Sequence, residues 1–185
     1  MRQKTEEDLW RLCLEGDRMA IEEMYCRFYP LLYNYGVKWI SDKELVEDCI
    51  QDVFIKIIQN HTHLMPTLSV KGYLLKALRN KILDCFEKER ITEPIEGYEE
   101  AFAEEMAIGE AEDGDEQTEL LLRSFSELSP RQREILYLYY VNELTHEDIA
   151  RLLGINYQSS KNLLFRSLSK LKKIFIQNTH FPSKK

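Results

Sequence analysis

Apolar side chains return every three or four positions through most of this chain, the interval of one face of an α-helix. Leu9, Leu12 and Cys13 make a first set. Ile21, Met24, Tyr25, Phe28 and Tyr29 make a second, and Gly16-Asp17 breaks the run between them. Asp17 suits the N-cap of that second helix, and Pro30 predicts a bend or a restart within it. Tyr25, Phe28, Tyr29, Tyr33, Tyr35 and Trp39 make the segment rich in rings, which predicts aromatic packing between helices. Ser41-Asp42-Lys43-Glu44 has the form of a capping box and predicts a helix start. Its apolar stripe is Leu45, Cys49 or Ile50, Val53 and Ile57, while Glu47, Asp48, Gln51, Asp52 and Lys56 fall on another face. Residues 60 to 69, NHTHLMPTLS, lose the helical interval, contain Pro66 and end in a cap at Ser69, so they predict a loop. The next helix buries Leu74, Leu75, Leu78, Ile82 and Phe86. Its outer face is basic, with Lys71, Lys76, Arg79, Asn80, Lys81, Asp84, Lys88 and Arg90.

A second helical group begins near Glu119 with Leu121, Leu122, Phe125 and Leu128. Ser129-Pro130-Arg131-Gln132 supplies a capping box with proline at the first helical position, and that helix runs to about Val141. Asn142-Glu143-Leu144 turns the chain, Thr145 to Asp148 caps again, and Ile149, Ala150, Leu152 and Leu153 form an inner face. Gly154 sits where a left-handed backbone ends a helix, Ile155 plugs the core, and Asn156 caps the last helix, Tyr157 to about Phe175. Ser160, Leu164, Ser167 and Leu171 should face inward, assisted by Leu168 and Ile174. Tyr157, Gln158, Ser159, Lys161, Asn162, Phe165 and then Arg166 are left outside. Two short helices around a glycine turn, the second with this outer face, have the form of a helix-turn-helix DNA reader. Gln and Asn pair with adenine in the major groove, Lys with guanine, and Arg166 is placed to hold phosphate.

Composition alters this picture at one point. With 185 residues and 44% hydrophobic content, the chain fits two small helical domains. The net charge of −7 would disfavour nucleic acid if it were evenly spread, but it is not. Residues 1 to 90 carry 14 Lys and Arg against 15 Asp and Glu, residues 91 to 119 carry none against 12, and residues 120 to 185 carry 11 against 5. A near-neutral unit, an acidic strip and a basic unit therefore follow one another. The strip repels itself and holds few large apolar side chains, which predicts a flexible linker. The expected fold is all-α: a helical domain over 1–91, an acidic linker over 92–119, and a helix-turn-helix domain over 120–185.

Candidate chemistry is sparse. Cys13, Cys26, Cys49 and Cys85 lie far apart, each among apolar residues, and are expected as buried free thiols rather than a metal or disulfide set. His61, His63, His146 and His180 read as polar surface residues. No Ser/His/Asp set, phosphate loop or metal cluster appears, so no catalysis, cofactor, metal or small-molecule substrate is expected. With no run of 18 apolar residues and a charged start, MRQKTEEDLW, a soluble cytoplasmic protein is expected.

Four blocks in order, GDRMAIEEMYCRFYPLLYNYG, ELVEDCIQDVFIKII, GYLLKALRNKILD and LSPRQREILYLYYVNELTHEDIARLLGINYQSSKNLLFRSLSKL, carry a resemblance to a known family. Over about residues 10–90 and 120–175 the chain resembles the extracytoplasmic-function (ECF) group of bacterial RNA polymerase sigma factors, which keep only regions 2 and 4. The resemblance implies that Asp48, Gln51, Asp52 and Phe54 grip the clamp helices of core RNA polymerase. It implies that the loop from His61 to Ser69, with His63, and the helix carrying Tyr73, Lys76, Arg79, Asn80 and Asp84 open and read the −10 element. Thr145, Tyr157, Gln158, Ser159, Lys161, Asn162 and Arg166 would read the −35 element of promoter DNA. The acidic strip would thread the polymerase channel, and a membrane-anchored anti-sigma factor would clamp both domains.

Three positions depart from the family's usual residues. Tyr73 stands where Trp is common. Ser160 stands where Val is common, and a hydroxyl there costs packing unless it finds a partner. Leu163 and Phe165 stand where Arg and His are frequent, which suggests contact with thymine methyl groups or with a covering partner. Two alternatives remain open on the residues alone: a two-domain regulator that binds duplex DNA without polymerase, and an anti-activator that uses the sigma-like surface only to bind proteins.

Overall fold

A computed structural model describes residues 4–67, 69–89 and 116–180, and these form helices and the turns between them. The chain divides into two compact units, Met1–Ile95 and Glu96–Lys185. Most of the acidic stretch expected as a linker, residues 92–115, lies outside the described residues.

In the first unit α1 spans Glu6–Leu14, α2 Arg18–Gly36, α3 Lys43–Asn60 and α4 Val70–Glu89. Each start is fixed locally. Thr5 accepts from Asp8 N, Asp17 from Ala20 N, Asp42 from Glu44 N and Leu45 N, and Ser69 Oγ from Gly72 N. The cap of α3 is thus Asp42 rather than Ser41, because the carboxylate reaches two orphan amides that one hydroxyl one residue earlier does not. Gly16, at φ +83, makes the left-handed turn that reverses α1 into α2.

Helix α2 does not restart at Pro30 but passes through it as one helix. Helices α2, α3 and α4 pack on one another, and α1 packs on α2 and α4. Their shared core holds Leu9, Met24, Leu32, Tyr35, Cys49, Ile50, Leu74, Leu75, Leu78 and Ile82, all at or near zero exposure. At Gly36 a Cβ would lie 2.6 Å from Val46 Cγ1, so α2 and α3 come this close only because that side chain is missing. Leu45 and Phe86, expected in the core, are only half-buried, and Val46 and Phe54 are buried instead.

In the second unit α5 spans Glu116–Ser126, beginning inside the stretch expected as linker. Helix α6, Pro130–Leu136, continues without a break into a π turn at Tyr137–Val141, where Asn142 N donates to Tyr137 O at 3.0 Å. Helix α7 spans His146–Leu153 and α8 Tyr157–His180. Ser129 N donates to Gln132 Oε1 at 3.1 Å, closing the expected capping box. Helices α5, α6 and α7 all pack on α8, around Phe125, Ile135, Leu136, Tyr137, Ile149, Leu152, Leu164 and Ile174. Helix α8 outruns its expected end near Phe175 because its last turns are held: Asn178 Nδ2 donates to Ser124 Oγ and Glu127 Oε1, both at 3.3 Å.

Candidate nucleic-acid and polymerase interfaces

The helix-turn-helix is built from caps outward. Thr145 Oγ1 accepts from Asp148 N at 3.2 Å and donates to Asp148 Oδ2 at 2.9 Å, and Arg151 closes on the other carboxylate oxygen at 2.6 Å. Asp148 is buried, and these bonds are what a buried carboxylate requires. Gly154 ends α7 at φ 64, ψ 37, with its own amide and that of Ile155 both turned back to Ala150 O. Asn156 Oδ1 then accepts from Ser159 N at 2.7 Å and starts α8. Ile155 is half-buried rather than a full plug of the core.

Along α8, Ser160 and Ser167 are fully buried with Leu164, as the spacing predicts, while Leu168 and Leu171 are half-buried. The hydroxyl of Ser160 is satisfied: it shares a 3.1 Å hydrogen bond with His146 Nδ1. His146 is therefore a bridging residue, half-buried at the seam of the two helices, and not the plain surface histidine the sequence suggests. Its ring lies 5.2 Å from that of Tyr139 and 5.8 Å from that of Tyr157. Ser167 Oγ donates within the helix to Leu163 O at 2.8 Å.

The outer face of α8 is open. Tyr157, Gln158, Lys161, Asn162, Phe165 and Arg166 are exposed, Phe165 to 71% and Tyr157 to 45%, with Ser159 half-buried beside them. Gln158 Nε2 donates to Asn162 Oδ1 at 3.1 Å, and Lys161 Nζ stands 5.6 Å from the centre of the Tyr157 ring. The helix ends by these residues are thus partly ordered before anything binds. Thr145, counted among the reading residues, has its hydroxyl engaged by Asp148 as a cap.

In the first unit, Asp48 and Gln51 are exposed on α3 and Asp52 is half-exposed, in an ion pair with Lys81 of α4. That pairing, led by the hydrogen bond that Lys81 donates to Asp52, raises the Lys81 pKa against the opposing effect of burial. Phe54 is not on this surface: it is 4% exposed and meets the Tyr25 ring edge-on, centroids 5.0 Å apart. Ile55 and Ile58, exposed to 45% and 50%, take its place, continuing the line of Asp48 and Gln51 at alternating three- and four-residue steps. Periodicity could have found them, since 48, 51, 55 and 58 trace a second stripe on the helix. Ile58 helps line a groove of about 730 Å³, together with Ile21, Tyr25, Phe54, Arg18, Glu22 and His61.

On α4, Lys76, Asn80 and Asp84 are exposed along one line and Arg79 is half-buried, its guanidinium 5.3 Å from the centre of the Trp39 ring. Tyr73 begins the same line but packs its ring against Trp10, centroids 4.8 Å apart, and burial raises its phenol pKa. Sequence reasoning missed Trp10. It is 2% exposed and its Nε1 donates to Met65 O at 3.2 Å, so it fastens the loop after α3 to the helical core. His63 is exposed in a short 3₁₀ turn, His61–His63, at the head of that loop. The thiols divide: Cys13 and Cys49 are buried, Cys85 is half-buried, and Cys26, on the outer side of α2, is exposed, contrary to expectation. Among the described residues no cluster of His, Cys, Asp or Glu could hold a metal ion, and no helix is long and apolar enough to cross a membrane.

The fold and these two faces define a two-unit, all-helical protein with a helix-turn-helix in its second unit. Residues 24–91 match the family Sigma-70 region 2, and residues 118–171 match Sigma-70, region 4. The chain is 28% identical over 157 residues to ECF RNA polymerase sigma factor SigM of Bacillus subtilis (strain 168), covering 85% of this chain and 96% of that one. It is 25% identical over 159 residues to RNA polymerase sigma factor SigZ of the same strain, covering 84% and 87%. Among solved structures, CnrH in complex with the cytosolic domain of CnrY is similar in fold, with TM-score 0.61 and 15% identity over 93% of this chain and 97% of that one. So is the sigma factor RpoE of Bartonella quintana in complex with the anti-sigma factor NepR, with TM-score 0.56 and 19% identity over 83% and 94%. The chain belongs to the ECF group of the sigma-70 family.

Proposed function

We propose that this protein is a dissociable promoter-specificity subunit: it binds core RNA polymerase, brings it to particular promoters and helps open them. The observation that carries this reading is the order of the two units, a region 2 match followed by a region 4 match whose reading helix presents an open polar and aromatic face. In this reading Asp48, Gln51 and Asp52, extended by Ile55 and Ile58, meet the polymerase clamp. Phe54 supports that face from beneath. The exposed line of Lys76, Asn80 and Asp84, with Arg79, Tyr73 and His63, meets the −10 element, where cations hold phosphate and exposed rings accept unstacked bases. Tyr157, Gln158, Ser159, Lys161, Asn162 and Arg166 meet the −35 element in the major groove, and Thr145 contributes by fixing the turn. A protein of the anti-sigma kind is the partner that restrains it, as CnrY and NepR are found with the similar CnrH and RpoE.

Run-off transcription with purified core polymerase tests the proposal. Adding the protein should yield promoter-dependent transcripts from a library of upstream regions. If it binds duplex DNA yet starts no transcript on any of them, it is a regulator acting without polymerase and the proposal fails.

A further inference from the structure

Cys49 on α3 and Cys85 on α4 meet across the helix interface with their Sγ atoms 3.7 Å apart, in contact but unbonded. Three residues along α3 from Cys49 stands Asp52, four residues back along α4 from Cys85 stands Lys81, and those two form an ion pair. Residues three and four apart share a helix face, so the sulfur contact and the ion pair are neighbouring rungs of one antiparallel seam. The Lys81 ammonium thus stands one rung along the same seam from the two sulfurs. Access separates the two: Cys49 is fully buried, whereas Cys85 is half-buried and reachable by a small oxidant.

We propose that Cys49 and Cys85 are a peroxide-oxidisable pair that closes into a reversible disulfide tying α3 to α4. The Cys85 thiolate attacks one oxygen of hydrogen peroxide; an S–O bond forms, the O–O bond breaks, and the departing hydroxide takes up a proton and leaves as water. The Cys49 thiol then attacks the sulfur of the Cys85 sulfenic acid. An S–S bond forms, the S–O bond breaks, and the hydroxyl leaves as a second water with the proton of Cys49. The two sulfurs have given two electrons to the peroxide, and a small dithiol returns them. Closure needs the sulfurs to approach from 3.7 Å to about 2.05 Å. The bond joins positions 36 apart in the chain, so it also restricts the unfolded unit. Once made, it holds the helix bearing Asp48, Gln51 and Asp52 fixed against the helix bearing Lys76 and Asn80.

The experiment uses the full chain with Cys26→Ser, which removes the exposed competing thiol. Hydrogen peroxide treatment, alkylation and peptide mass mapping should recover one joined peptide pair containing Cys49 and Cys85, two hydrogens lighter than its reduced parts. Dithiothreitol should restore both thiols, and the urea midpoint of the oxidised protein should rise. In Cys49→Ala, Cys85 should stop at sulfenic acid and be captured by dimedone. If both thiols stay open to alkylation after unfolding, or if dimedone fails to label Cys85 in Cys49→Ala, the pairing is wrong. These readouts use neither polymerase nor DNA, so their failure would leave the promoter reading untouched.

Discussion

Ser160 has the side chain with the largest effect on how the second unit must be understood. A hydroxyl at full burial on the inner face of a reading helix costs packing unless it is bonded, and here the bond to His146 removes the cost while adding a link between α7 and α8. Ser160→Ala should lower the unfolding free energy by about 1 kcal/mol, and a double-mutant cycle with His146→Ala should return a coupling of about 0.5 kcal/mol or more in urea titrations. Additive effects would mean that the two side chains do not act together. A second expectation concerns the buried thiols. Burial pushes Cys13 up to about 11 and Cys49 up to about 12 from the ordinary 9.0. The folded state thus keeps protons that the unfolded chain releases. The stability this gives is whole below pH 9 and drains away as the pH climbs toward 11 and 12. Urea midpoints measured across that range should fall, and fall less in Cys49→Ala.

Helix α8 joins two requirements: one side closes a core with α5, α6 and α7, and the other stays open. Lys161→Ala and Asn162→Ala touch only the open side, so each should change discrimination at the −35 element by about 1–3 kcal/mol per base pair while leaving the melting curve unchanged. Competition binding against single-base variants would show it, and equal losses on every sequence would reduce both residues to non-specific contacts. Much of this element was legible in the sequence, because its determinants are local: the Asn156 cap, the Gly154 turn and the repeat of Ser160, Leu164 and Ser167 all lie within a turn or two of what they control. What escaped depends on distant neighbours. Trp10 meets Tyr73 and Met65 far along the chain, and His146 meets Ser160 across the turn. Phe54 drops inward because the rings of α2 await it, where the i, i+4 stripe alone pointed to its neighbours. Pro30 does not restart its helix, which packs on three others that the local sequence does not show.

The chain folds as two compact units, and in the proposed reading variants should respect that division. Asp48→Lys changes an exposed charge on α3 and should weaken core polymerase binding in a pull-down without altering stability. Asp52→Lys should weaken binding too, but it also sets two cations against each other at Lys81, which adds a loss of about 1 kcal/mol in folding. Unchanged affinity in both variants would move the polymerase face elsewhere. Residues 1–90, nearly neutral, and residues 120–185, with 11 Lys and Arg against 5 Asp and Glu, also predict different salt responses, since releasing counterions from phosphate scales with the cations engaged. One feature of the second unit reaches further than its size. The π turn at Tyr137–Val141 spends one residue more than an α-helical ladder would need to cover the same rise. That spare residue is slack taken up inside a helix instead of in a loop, and it swings Tyr139 toward His146 while Tyr137 stays in the core. Removing a single residue from YLYYV would straighten the ladder and withdraw the ring that backs the histidine, so the seating of α8 is set in part by chain length within another helix.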